Sequence, residues 1–306
     1  MKRFILLFSL PAYAQLQEDF SDGDFTNNPP WIGTTSYWTI TPDKRLRSNG
    51  PTTTSKIYLA TANTLISNTE WHFWVRVGFN PSTSNFVRIY LVADRADPTD
   101  SNLQGYYLKL GGITGSNDSL ELWYQQGSSH TRLAGGIRGR FGGTNNILRI
   151  RVLRNASGTW QVYSDSTGFW EEEFTTTHTA LSSTAYFIVL FEHTNTNRQN
   201  LWLDDFYIGP IQSDNTPPFL GGAEFETSMR LLLTFSEALS PPSAGQPSNY
   251  SLRSPTGSIG IQQAVLTSPR TVALTLINAV APSVLCTLSY AGIQDLAGNV
   301  GSGDTT

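Results

Sequence analysis

From Trp71 to Phe79 the chain places Trp71, Phe73, Val75, Val77 and Phe79 at every second position, with His72, Trp74 and Arg76 between them. A period of two belongs to a β-strand with one face buried and the other exposed. The alternation recurs in residues 86–93, where Val87, Ile89, Leu91 and Ala93 oppose Phe86, Arg88, Tyr90 and Val92. It recurs again in 106–110, 120–125 and 147–153. Further short apolar segments, 38–40, 57–60, 160–164, 169–174 and 186–192, lie between clusters of Gly, Asn, Ser and Pro, the punctuation of strands and turns. No stretch sustains a helical period over three turns, so parallel βαβ units are excluded. The expectation is an all-β protein, a sandwich or barrel of short antiparallel strands.

Residues 201–218 form a seam. Trp202, Asp204, Phe206 and Ile208 alternate with Leu201, Leu203, Asp205 and Tyr207 as in a closing strand. Ser213, Asp214 and Asn215 then favour a turn, and Pro217 and Pro218 have no N–H to give to a sheet. The seam predicts a first domain over 15–211, a linker over 212–218 and a smaller domain over 219–306, with strands near 229–235, 250–252, 261–266, 272–276 and 286–290. A chain of 306 residues is long enough for two cores.

Charged residues make up only 14% of the chain while turn formers are plentiful, which fits an extracellular β-protein better than a cytosolic enzyme. The net charge of −4 disfavours nonspecific binding to nucleic acid. Cys286 is the only cysteine, so no internal disulfide forms; within the apolar run 284–288 it reads as a small buried hydrophobe. His72, His130, His178 and His193 have no zinc-binding spacing. Residues 1–14, MKRFILLFSLPAYA, combine two basic residues, a short apolar run and small residues before a cleavage point, the pattern of a secretory signal peptide. No later stretch approaches the ~20 apolar residues of a membrane-spanning helix. The chain is therefore expected to be secreted or at the cell surface, with no membrane insertion.

The strand faces opposite the core repeatedly pair Trp or Tyr with Arg, Lys, Glu or Gln. Rings that stack on sugars, beside groups that hydrogen-bond hydroxyls or acidic sugars, make Trp74, Arg88, Tyr90, Tyr107, Trp123 and Arg149 the candidate ligand-binding residues. The competing reading is a solvated sheet face whose aromatics serve cross-strand pairing. A glycoside hydrolase needs two carboxylates roughly 5–9.5 Å apart. Only Glu171, Glu172 and Glu173 offer a pair on one strand, with Glu171 and Glu173 expected on the same face. No nucleophile elbow or phosphate-binding loop is present.

The phrases EDFSDGDF, WHFWVRVGF, FVRIYLVAD, GYYLKLGG and WLDDFYIGPI, spread over 17–211, resemble the concanavalin-A-like jelly-roll modules, related in shape to laminin G domains, of large secreted bacterial surface proteins. The phrases LLLTFSEAL, NYSL and YAGIQDLAGN, following D-x-TPP, resemble bacterial Ig-like modules of surface-layer and adhesive proteins. The resemblance implies a jelly-roll sandwich followed by an Ig-like sandwich, a noncatalytic module that binds polysaccharide or cell-surface glycan or mediates adhesion, and alternatively a purely structural spacer. It implies that the first and last strands of the jelly roll lie together. Glu18, Asp22, Asp24, Asp204 and Asp205 would then be near enough to supply oxygen ligands to a structural calcium; otherwise they serve turns and an exposed edge. Such modules come in arrays, and the polar, Gly-rich residues 300–306 read as a linker into further domains downstream of the same polypeptide.

Overall fold

The computed structural model describes residues 15–112, 115, 117–168 and 170–306. The proposed leader, residues 1–14, lies outside them. The chain divides after Ile211 into two compact units.

The first unit is a sandwich of two antiparallel sheets. One sheet orders β13 (Glu171–Thr177), β12 (Thr159–Asp165), β11 (Asn146–Arg154), β6 (Thr69–Val77), β15 (Leu201–Pro210), β4 (Leu46–Ser48) and β3 (Trp38–Ile40), with β1 (Leu16–Glu18) also pairing on β15. The other orders β10 (Ser129–Gly135), β9 (Leu120–Gln126), β8 (Gln104–Leu110), β7 (Phe86–Ala93), β14 (Tyr186–His193), β5 (Ser55–Ala62) and β2 (Ile32–Gly33). Neighbours distant in sequence, such as β6 beside β15, give the sandwich its jelly-roll order. The inward residues of β6 and β11, among them Phe73, Val75 and Ile150, form one core with Val87, Ile89, Leu108 and Leu122 of the facing sheet. Trp71 and Trp160 stack in that core with ring centroids 5.7 Å apart.

Two departures from strict alternation have local causes. In β7 the pairing with β8 shifts between Tyr90 and Val92, a β-bulge. The extra residue turns Val92 into the main core and Ala93 onto the opposite face, the reverse of the simple period-two reading. In β13 the pairing with β12 shifts so that Glu173 is the unpaired extra residue, and its side chain turns inward.

The second unit is also a two-sheet sandwich. Its sheets are β16 (Leu220–Thr227), β17 (Arg230–Phe235), β21 (Thr271–Leu276) and β20 (Ile261–Ser268), and β19 (Gly257–Ile259), β18 (Tyr250–Ser254), β22 (Thr287–Gln294) and β23 (Val300–Thr305). Leu231, Leu233, Phe235, Leu252, Leu274, Leu276, Leu288 and Ile293 fill its core, with Cys286 partly buried against it. The residues read as a linker-like tail are in fact edge strand β23, which pairs Tyr290 with Gly303 and Leu288 with Thr305. The backbone gains sheet hydrogen bonds there with almost no apolar side chain to bury. The only α-helix among the described residues is Pro241–Ala244, and no helix among them is long and apolar enough to cross a membrane.

Candidate functional site

The face of the β10–β2 sheet turned away from the main core is not simply solvated. It carries a second apolar cluster of Ala60, Tyr90, Ala93, Leu103, Tyr107, Ile188 and Leu190, with Tyr58, Ala96 and Trp123 packed against it. Leu103 and Ala96 belong to the connection between β7 and β8, which folds back over the sheet and leaves a cleft beside it. The cleft has a volume of ≈ 260 Å³, and Lys56, Arg88, Gln125, His130, Asp100 and Ser128 contribute its polar lining.

The six residues nominated for ligand binding do not form one surface. Arg88 and Tyr90 on β7, Tyr107 on β8 and Trp123 on β9 share this sheet. Trp74 on β6 and Arg149 on β11 are direct cross-strand partners in the other sheet. Tyr90 and Tyr107 are only 0% and 1% exposed, so their rings are not stacking platforms. The Tyr90 hydroxyl donates to Gln125 Oε1 at 2.7 Å, and the Tyr107 hydroxyl lies 3.0 Å from His130 Nδ1. Burial raises the pKa of both phenols. Trp123 is half-buried, stacked on Tyr107, and donates from Nε1 to Glu121 at 2.9 Å.

Arg88 differs from these in having no ion-pair partner among the described residues, though its side chain hydrogen-bonds Tyr90. Its guanidinium lies over the Phe86 and Tyr107 rings at 5.3 and 5.2 Å, and its Nε is buried with no hydrogen-bond partner. Directly opposite across the β7–β8 pair stands Lys109. Burial lowers the pKa of Lys109, and Arg88 lowers it further while Glu121 acts in the other direction. His130 is likewise lowered, first by burial and then by Arg88, Lys56 and Lys109.

On the opposite sheet the aromatic rings are already covered by the protein's own cations. Arg45 lies 4.4 Å over Trp74, and Trp202 is flanked by Arg47 at 4.9 Å and Arg76 at 4.5 Å. Arg149 lies 5.2 Å over Trp170 and is ion-paired to Asp165, with Nε to Oδ2 at 2.9 Å.

The glutamate run forms a structural bridge. Arg140 binds Glu173 at 2.6 Å and Glu171 at 2.7 Å. Glu173, fully buried at its side chain, also accepts from Ser164 Oγ at 2.5 Å and Ile137 N at 2.7 Å. An arginine already sits between the two carboxylates, where a scissile sugar would have to enter.

β1 and β15 do pair, with Glu18 opposite Phe206. Burial, reinforced by Asp22 and Asp19, raises Glu18 to about 7 against the Phe20 N–H that it accepts at 2.8 Å. Burial also raises Asp204 to about 6, with Asp205 adding to the effect and Arg45 opposing it from 3.5 Å. Asp22 and Asp24 cap their own turn: Asp22 accepts from Asp24 N, and Asp24 accepts from Thr26 and Asn27, which hold it down at about 2. Among the described residues, the acidic groups that bring three carboxylates' oxygens within 4.8 Å of one another are Asp214, Glu237 and Asp295 of the second unit. Both oxygens of buried Asp295 accept from Asn299, at 2.8 and 2.7 Å. Burial and the two neighbouring aspartates raise Glu237 to about 7.

The architecture defines an all-β protein with a jelly-roll sandwich as its first unit. No family model matches the chain, and no curated protein matches it. Among solved structures it is similar to the carbohydrate recognition domain of Emp47p, at 16% identity and a TM-score of 0.46 over 63% of this chain and 92% of that one. It is similar to the exoplasmic/lumenal domain of VIP36 in its Ca2+/Man-bound form, at 17% identity and a TM-score of 0.44 over 61% and 84%. It is also similar to the carbohydrate binding module CBM66 from Bacillus subtilis, at 7% identity and a TM-score of 0.43 over 58% and 94%.

Proposed function

We propose that the first unit is a noncatalytic glycan-binding module of a secreted or cell-surface protein, and that the second unit, in the manner of Ig-like modules, spaces it from whatever else the polypeptide carries. The observation that carries this reading is the cleft beside β7 to β10. Its volume of ≈ 260 Å³ is just below the ~300 Å³ at which small-molecule clefts begin, which suits a single sugar unit. It has convergent polar groups in Gln125, His130, Ser128 and Arg88, two of which, Gln125 and His130, are held by the buried hydroxyls of Tyr90 and Tyr107. Arg88 lines the cleft with no carboxylate partner among the described residues. The bridging of Glu171 and Glu173 by Arg140 argues against glycoside hydrolysis at the one carboxylate pair that the strand pattern offered.

The spacer alternative has an observation of its own. The rings on the other sheet's outer face are covered by arginines, as a self-contained structural surface would have them. A glycan array probed with the full chain separates the two readings. Binding that is retained in EDTA and weakened at least tenfold in Arg88→Gln supports the cleft; no binding to any glycan leaves the spacer.

A further inference from the structure

We infer that the sugar unit taken by this cleft is anionic, a uronate or a sulfated residue, with its charge held by Arg88. This deepens the glycan-binding reading and rests on it. The argument begins with the pairing of Arg88 and Lys109 across β7 and β8. Like charges directly opposite in an antiparallel pair are destabilising, and burial sharpens the conflict. Glu121, directly opposite Lys109 on β9, relieves it on the lysine's side, whereas Arg88 has no such neighbour. Glu192 pairs with Lys56 at 3.4 Å, Asp100 with Arg95 at 3.7 Å, and Glu121 is held by Arg132 at 2.7 Å and by the Trp123 indole. Among the described residues no carboxylate stands within 4.0 Å of the Arg88 guanidinium, and its Nε has no hydrogen-bond partner.

A cleft-lining guanidinium with no carboxylate partner among the described residues is a poor feature for a neutral sheet surface and a good one for a ligand carboxylate or sulfate. The planar guanidinium matches such groups in two-point geometry, and charge-assisted hydrogen bonds are about twice as strong as neutral ones. Lys56 lines the same cleft and extends the positive field, and His130 beside it offers a neutral hydrogen-bonding ring. The ring faces of Phe86 and Tyr107 under the guanidinium fix its plane, so little side-chain freedom is lost when an anion docks.

The test is calorimetric titration of the full chain with polygalacturonate oligomers, a sulfated dextran, neutral mannan and glucan oligomers, and poly-glutamate as a polyanion without sugar. Wild type is expected to bind one of the two acidic glycans at least tenfold more tightly than either neutral one, and the preferred member tells carboxylate from sulfate. Arg88→Gln is expected to abolish that preference, and Lys56→Gln, at an exposed rim position, to weaken it several-fold with an unchanged melting temperature. The rim variant keeps the test decisive should Arg88→Gln fold poorly. Equal affinity for neutral and acidic glycans overturns the inference and leaves the glycan-binding reading in place. Equal binding of poly-glutamate reduces the effect to bulk charge and also overturns it. No glycan binding at all overturns both.

Discussion

The indole of Trp123 lies parallel to the Tyr107 ring, with centroids 6.3 Å apart and planes within 6° of one another. The two residues are cross-strand partners of β8 and β9, so the stack follows from register and not from chance approach. It explains how Tyr107 can be buried although it stands on the outer face of its sheet. Trp123→Ala is therefore expected to uncover Tyr107 and lower stability by about 2 kcal/mol, read by urea unfolding, while Trp123→Phe recovers most of it. A Trp123→Ala protein as stable as wild type would return Trp123 to the role of a free stacking platform.

Arg140, in the turn between β10 and β11, holds edge strand β13 of the other sheet. It is mostly buried and closes on both Glu171 and Glu173. Removing a partner from a buried pair leaves an uncompensated charge, at a cost of about 3–5 kcal/mol. Glu173→Ala is expected to be destabilised on that scale. Glu171→Ala, on the exposed side, should lose about 1 kcal/mol or less. Denaturant midpoints of the two variants check the asymmetry. Equal, small losses accompanied by loss of a measurable reducing-sugar release would instead make the pair catalytic.

The features legible in the sequence are those where one face of a strand meets a core. The Trp71 to Phe79 alternation gives β6 and its inward set correctly, because burial enforces the period. β10 and β16 were missed because they are edge strands whose side chains are largely exposed, and a strand without a buried face leaves no apolar period to read. The bulges at Leu91 and Glu173 are invisible for a different reason. An inserted residue changes which face every later side chain occupies, while composition stays the same. The candidate site was half legible: Arg88 was nominated from its strand position, but Lys56, Gln125 and His130 enter through strand order and the fold-back of the β7–β8 connection. The aromatic partners Tyr90 and Tyr107 look like surface residues by alternation, and only the tertiary cover buries them.

Asp205 occupies a left-handed backbone conformation, φ = 53°, at the point where the pairing of β15 with β6 shifts between Asp204 and Tyr207. Asp and Asn tolerate this region, Gly is free in it, and a β-branched residue is not. Asp205→Gly and Asp205→Asn should leave the melting temperature nearly unchanged. Asp205→Val should cost about 1–2 kcal/mol, measured by thermal unfolding. A Val variant as stable as wild type would show that the bulge is not held by this residue.

The carboxylate trio of the second unit should make its stability depend on pH. Glu237 is raised from 4.5 to about 7, first by burial and then by Asp214 and Asp295, so the folded unit favours its protonated form. A group whose folded pKa exceeds its unfolded value contributes stability that is fully present below the unfolded pKa. That contribution is lost as pH rises through the folded one, here across the interval from 4.5 to about 7. Glu237→Gln retains an amide that can hydrogen-bond the aspartates but has no proton to lose. It should be more stable than wild type above about pH 7.5, by on the order of 1–2 kcal/mol after allowing for partial exposure. Near about pH 4 the difference should vanish or reverse. Glu18 and Asp204 are raised in the same direction, so wild type alone cannot isolate the effect, whereas the difference between wild type and variant does. Denaturant unfolding of both proteins across that pH range, giving parallel stability curves, would mean that Glu237 ionises no differently in the folded unit than in the unfolded chain.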